Sequence, residues 1–180
     1  MSRVYVASLS DYNAGVLHGE WFDLDVYSDA EELMTDIQTM VLDKSPTAAK
    51  DPFTVAEEWA IHDYEGFGGF RIGEYEDLQA LIDFAEMIDA HGQPFAIWAE
   101  YQGYTLSEAP EHEQSFVDSF IGNVTVFDYA CSCAEDLLQG VPDEVARYFD
   151  YQQYARDMVM AGDVFEVVDG GDSYLFRSNV

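Results

Sequence analysis

A chain of 180 residues with 48% hydrophobic and 15% aromatic side chains has the material for a packed core, which excludes a disordered acidic tail. Its 36 Asp and Glu against 7 Lys and Arg leave a formal net charge of -29, which excludes nucleic acid and anionic membrane as direct partners and implies a basic one. With no leader pattern at the N-terminus and no apolar run long enough to span a bilayer, the expected location is the cytoplasm.

In chain order, "RVYVASL" at 3 to 9 and "GVLHGEWFDL" at 15 to 24 predict neighbouring strands, with Asp11, Asn13 and Gly15 as turn material between them. "SDAEELMTDIQTMVLD" predicts a helix over about 28 to 42, capped by Ser28 with Glu31 three residues on, and with Leu33, Ile37, Met40 and Val41 on its inner face. "KSPTAAKDP" at 44 to 52 reads as a loop, and "EWAIHDYEGF" at 58 to 67 as a third strand of the same small sheet.

The stretch from 74 to 91 predicts a helix in which Tyr75, Leu78, Leu81, Ile82, Ala85 and Ile88 form the apolar stripe, stopped by Gly92 and Pro94. Its polar positions, Glu74, Glu76, Asp77, Asp83, Glu86 and Asp89, carry no intervening base, although a Glu four residues before a Lys would add a few tenths of a kcal/mol. The one-signed field extends further, since from Ile72 to Ala146 there are sixteen acids and no Lys or Arg. "FAIWAEY" at 95 to 101 fits strand or helix equally, and the polar "LSEAPEHEQ" at 106 to 114 marks a boundary.

"VFDYACSCAEDLLQG" predicts a helix striped by Phe127, Ala130, Cys131, Ala134, Leu137 and Leu138 and closed by Gly140. Cys131 and Cys133, two apart on a helix, do not face each other and read as free thiols. "VPDEVARYFDYQQYARDM" restarts a helix with Pro142 at its first position and Asp143 and Glu144 in the first turn. "DVFEVVDGGDSYLFRS" predicts a hairpin turning at Gly170 and Gly171. The sum is an α+β chain of small modules with small sheets and acidic helices.

Catalytic and metal chemistry find little support. His18, His62, His91 and His112 are dispersed, and Cys131 and Cys133 lack a second pair, so no metal site and no cofactor are expected. "DGGDS" at 169 to 173 lacks the acid spacing of a calcium loop, and "GFGGFRIG" at 66 to 73 matches no phosphate- or dinucleotide-binding glycine pattern. In "IHDYE" at 61 to 65, His62 and Tyr64 share a strand face, with an acid-base pair as the alternative reading. The expectation is no enzyme and no catalytic residue.

Three readings compete for the charge: hydration at high salt, plain solubility, and imitation of a polyanion. Duplex DNA carries about two charges per base pair, so thirty-six carboxylates could replace the phosphates of roughly eighteen base pairs. A two-fold dimer would double that length.

The chain resembles the ArdA antirestriction family. "VYVASLSDYNAGVLHGEWFDL" is similar to that family's N-terminal strand, Tyr-Asn turn and Gly-x-Trp strand, "EWAIHDYEGF" to its I-H-D-Y-E stretch, and "VPDEVARYFDYQQYARDM" with "AGDVFEVVDGGDSYLFR" to its C-terminal ending. Tyr12, Asn13, Trp21, His62, Asp63, Tyr64, Tyr148, Asp150, Tyr151, Arg156 and Asp157 carry the match and are expected to be mostly scaffold.

The resemblance implies an elongated homodimer of three small domains per chain, 1–73 with a three-stranded sheet and helix, 74–103 helical, and 104–180 α+β with the dimer contact. It implies a mimic of bent duplex DNA that occupies the cleft of type I restriction-modification enzymes, blocking restriction and modification of plasmid or transposon DNA. The acids expected to stand in for phosphates are Glu31, Glu32, Asp36, Glu74, Glu76, Asp77, Asp83, Glu86, Asp89, Asp128, Glu135, Asp136, Asp143 and Glu144. An acidic adaptor or chaperone for another basic nucleic-acid-binding protein is the rival expectation.

Overall fold

The computed structural model describes residues 1–51 and 53–178 of the chain, which divides into two compact units, Met1–His112 and Glu113–Val180. In the first unit β1 (Arg3–Ser8), α1 (Leu9–Asn13) and β2 (Gly19–Asp23) lead through a 3-10 turn, Leu24–Val26, into α2 (Ala30–Ile37). A π turn over Gln38–Leu42 continues α2 and is followed by α3 (Pro46–Lys50), β3 (Trp59–Glu65), α4 (Leu78–His91), α5 (Gln93–Gln102) and a second 3-10 turn, Ala109–His112.

The three expected strands form one antiparallel sheet in the order β2-β1-β3. The strand with the plainest Val alternation takes the middle, and Val4 and Val6 are wholly buried there. Leu33 and Ile37 of α2 and Val41 of the π turn are wholly buried beside that sheet. The π turn closes with Asp43 N–H donating to the Gln38 carbonyl at 2.8 Å, and His18 Nε2–H donates to the Val41 carbonyl at 2.8 Å.

The second core of this unit is aromatic. Phe67 and Phe70 from the glycine-rich loop meet Phe84 of α4, Phe70 at a centroid distance of 4.6 Å, and the series continues through Phe95 and Trp98 of α5 to Tyr104 and His112. In "GFGGF" Gly68 serves the packing of this core. Gly68 has φ +62, and a Cβ there would stand 2.9 Å from that of Ala96 on α5.

Several local expectations are corrected. Asp29, not Ser28, caps α2, its carboxylate accepting from the backbone N–H of Glu31 and Glu32, while Glu32 reaches back to accept from Ser28 N–H and Oγ. The cap lies one residue later than the Ser-x-x-Glu spacing indicates, and the returning bond from Glu32 goes to the residue before the cap instead of to the cap itself. The expected loop at 44 to 52 contains α3, because Ser45 caps it and Pro46 occupies its first turn; Pro52 lies outside the described residues.

The helix expected from 74 starts at Leu78, because the Asp77 carboxylate accepts from Ala80 N–H. Glu74 and Glu76 therefore precede the helix, and Tyr75 is 70% exposed and not part of its buried stripe. Asp11, read as turn material, lies on α1 and is fully buried.

The second unit contains α6 (Glu113–Ser119), β4 (Phe120–Gly122), α7 (Val126–Leu137), α8 (Asp143–Ala146), α9 (Tyr151–Met160), β5 (Val164–Asp169) and β6 (Asp172–Arg177). Its antiparallel sheet runs β4-β6-β5. The hairpin turns where expected, with Asp169 opposite Asp172 and Gly170 and Gly171 both at positive φ. Strand β4 is an addition to the expected elements, because three residues are too few to show alternation. The helix expected from 142 is two helices: Pro142 is the N-cap of α8, and Asp150 caps α9 anew. Buried Ala130 and Ala134 of α7 and Ala155 of α9 let these two helices approach closely.

Candidate functional site: carboxylate rows and an aromatic cleft

With seven Lys and Arg against thirty-six acids, the negative charge exceeds the positive by 29 whatever the conformation. Ion pairs hold the N-terminal residues: Arg3 binds Glu65 through Nε at 2.9 Å and Nη2 at 2.7 Å, and the Met1 amino group lies 3.3 Å from Asp89. Many other acids are held by neutral donors, which orient a carboxylate without cancelling its charge.

On α2, Glu31 and Glu32 are exposed and Asp36 is half-buried; with Asp29, Tyr27 and Thr35 they line an open concavity of about 520 Å³. Tyr27 Oη–H donates to Asp36 Oδ2 at 3.0 Å. Burial, then this bond and the charges of Asp36 and Asp23, push the Tyr27 phenol well above its ordinary range, so it remains a donor. Glu76 accepts from Gly73 N–H, and Glu74 is exposed on the segment before α4.

On α4, Asp83, Glu86 and Asp89 recur every three residues along one flank, half-buried, exposed and exposed respectively, with Asp83 accepting from Gln79 Nε2. Asp128, Glu135 and Asp136 are exposed on α7, Asp128 and Glu135 sharing a face by their seven-residue spacing; Asp143 and Glu144 are exposed on α8. A helical rise of about 1.5 Å per residue sets acids three or four apart at axial steps of about 5 Å, a row more widely spaced than the phosphates of one DNA strand at about 3.4 Å.

Of the residues that carry the family resemblance, one group comes together in the first unit. β3 is bulged against β1: Tyr5 faces Asp63 and Val6 faces Ile61, leaving His62 with no opposite residue. The bulge turns the exposed His62 ring edge-on to Tyr12 of α1, at a centroid distance of 4.6 Å and 77°. Tyr12, Asn13, His62, Tyr64, Glu74 and Tyr75 share the walls of one open cleft of about 540 Å³. Ile61 N–H donates to the Glu74 carbonyl at 2.9 Å, which fixes the segment carrying Glu74 and Tyr75 along β3.

The remaining resemblance residues do not join that cleft. Trp21 lies under the Arg3 guanidinium at 4.6 Å, and Asp63 accepts from Tyr64 N–H. In the second unit Asp150 caps α9, Tyr151 meets Phe149 edge-on, Asp157 accepts from Gln153 Nε2, and Tyr148 is 82% exposed. Arg156 lines an apolar groove of about 560 Å³ with Val126, Phe127, Val159 and Met160. Tyr75 and Asp29 carry no sequence signal of a site; only the caps and the cleft show what they do.

Cys131 and Cys133 are free and half-buried. Among the described residues no three His, Cys, Asp or Glu side chains are placed to hold a metal ion, and no helix is long and apolar enough to cross a membrane.

The fold and composition define a strongly acidic protein of the α+β class. Residues 4–172 match the family described as "Antirestriction protein (ArdA)", and the chain belongs to the ArdA antirestriction family. This is a family of inhibitor proteins rather than enzymes, directed at restriction-modification enzymes. No curated protein matches the chain.

Proposed function

We propose that the chain is a stoichiometric, non-catalytic mimic of duplex DNA that occupies the DNA-binding cleft of type I restriction-modification enzymes and inhibits restriction and modification in the cytoplasm. The observation that carries this reading is the set of acid rows on α2, α4 and α7 in a chain whose formal net charge is -29. Such rows suit the Lys and Arg side chains that otherwise bind phosphate. In this reading the segments 1–73, 74–103 and 104–180 each contribute acids to the mimic.

Dimerisation is part of the proposal. The groove of Val126, Phe127, Val159 and Met160 leaves apolar surface exposed in the second unit, with Phe127 43% and Met160 83% accessible. A second copy there would extend the anionic track.

Titration of the purified protein into a type I enzyme bound to labelled duplex tests the reading. Displacement should be complete, saturate at one dimer per enzyme, and involve no turnover. Binding to a histone-like basic protein without displacement of DNA from the restriction enzyme would favour the adaptor reading instead.

A further inference from the structure

We propose that the cleft between α1 and the bulge of β3 is a receptor for a single arginine side chain of the partner protein, held between tyrosine rings with Glu74 as counter-ion. The proposal rests on the reading above for the partner's basic character, and it adds a site that phosphate imitation does not require. A phosphate row needs carboxylates only, whereas this open cleft is walled by Tyr12, Tyr64 and Tyr75 together with Glu74.

Three observations converge on this site. The β3 bulge inserts one residue, and that residue is the His62 whose ring abuts Tyr12; a bulge that re-aims a side chain serves the surface it re-aims toward. Tyr12 and Tyr75 are 54% and 70% exposed, so both side chains are accessible to a ligand from solvent. The protein also solves the same recognition problem internally: Arg3 lies 4.6 Å from the centre of the Trp21 ring while Nε and Nη2 both donate to Glu65. Ring face plus carboxylate is the pairing that the cleft presents outward.

Arginine is the occupant because its guanidinium is planar, weakly hydrated and stacks on rings, whereas a lysine ammonium is compact and strongly hydrated. The surrounding charge of -29 concentrates cations near the cleft, and the rings select among them.

The test is a titration of the full chain with N-acetyl-arginine amide, with the lysine and norleucine amides as controls, followed by NMR on the His62 and tyrosine rings. Salt at about 0.3 M screens charges more than about 6 Å apart. The expected result is a saturable shift of the His62, Tyr12 and Tyr75 signals by the arginine amide alone, half-complete at about 30 mM. Tyr75→Leu should abolish it and Tyr75→Phe retain it; Tyr75 is exposed enough that neither should unfold the chain. Equal shifts from lysine or norleucine amide, shifts spread over the acid rows, or no shift overturn the proposal.

Displacement of DNA from a type I enzyme is measured in parallel. There Tyr75→Leu should weaken the inhibitor about tenfold and Tyr75→Phe should not. A wild-type protein that fails to displace DNA ends the DNA-mimic reading, while the amide titration still judges the cleft.

Discussion

Asp11 shows how a carboxylate can serve the fold rather than the surface charge. It is wholly buried, and its Oδ1 accepts from Thr47 N–H at 2.9 Å, tying α1 to α3. Burial by itself would raise its pKa, and Oδ2 is buried without a partner in hydrogen-bond geometry, but the polar groups of Thr47, Ser45 and Ser8 around the carboxylate outweigh that and bring it from 3.8 down to about 2. A depressed folded-state pKa contributes stability that is fully present above the unfolded value and lost as pH falls through the folded one. The contribution is about 2 kcal/mol, disappearing between about pH 4 and pH 2. Urea denaturation at about pH 6 and about pH 2 should show that Asp11→Asn removes this part of the acid sensitivity, while the wild type retains it. An unchanged difference between the two proteins at both pH values would show that the buried charge contributes nothing.

At the scale of the element, the acids divide into those that build helices and those that only decorate them. Asp77 does the first: its carboxylate accepts from Ala80 N–H at 3.0 Å and starts α4. Asn can cap as well as Asp, whereas Ala cannot, so Asp77→Ala should lower stability by about 1 kcal/mol and Asp77→Asn by much less. Thermal melts of the two variants check this, and equal losses would mean that the charge, not the cap, is what matters. Glu86, exposed on the same helix, has no such structural duty. Its reversal to Lys should leave the fold intact and weaken partner binding less than about fivefold, because each exposed charge contributes a screened term.

For the whole molecule, the proposed mimicry depends on summing many weak contacts, and the proposed dimer doubles their number. Phe127→Glu and Met160→Glu alter exposed positions in the second unit's apolar groove. Light scattering should show the wild type at twice the mass of one 20.3 kDa chain and the double variant at one. DNA displacement should weaken by at least about a hundredfold, since linked binding is lost with the second copy. A monomeric variant that inhibits as well as the wild type would remove the dimer from the mechanism.

Patterns confined to one element are legible in the amino-acid sequence itself. The Val4 and Val6 alternation, the Gly170-Gly171 turn, the stripe from Leu78 to Ile88 and the excess of acids all follow from short-range periodicity or from counting. Cap positions are legible only to within a residue or a turn, because Ser28 and Asp29 offer the same chemistry in competing frames and packing chooses between them. The cleft is not legible in this way. Tyr12 and His62 lie fifty positions apart, and their meeting depends on a register shift between β1 and β3 that the pattern of neither strand encodes. Composition therefore determines that this chain is strongly anionic and attracts cations, since charge adds up regardless of conformation. Which side chains stand together to do so is decided by strand pairing and helix packing, which bring distant residues within contact range.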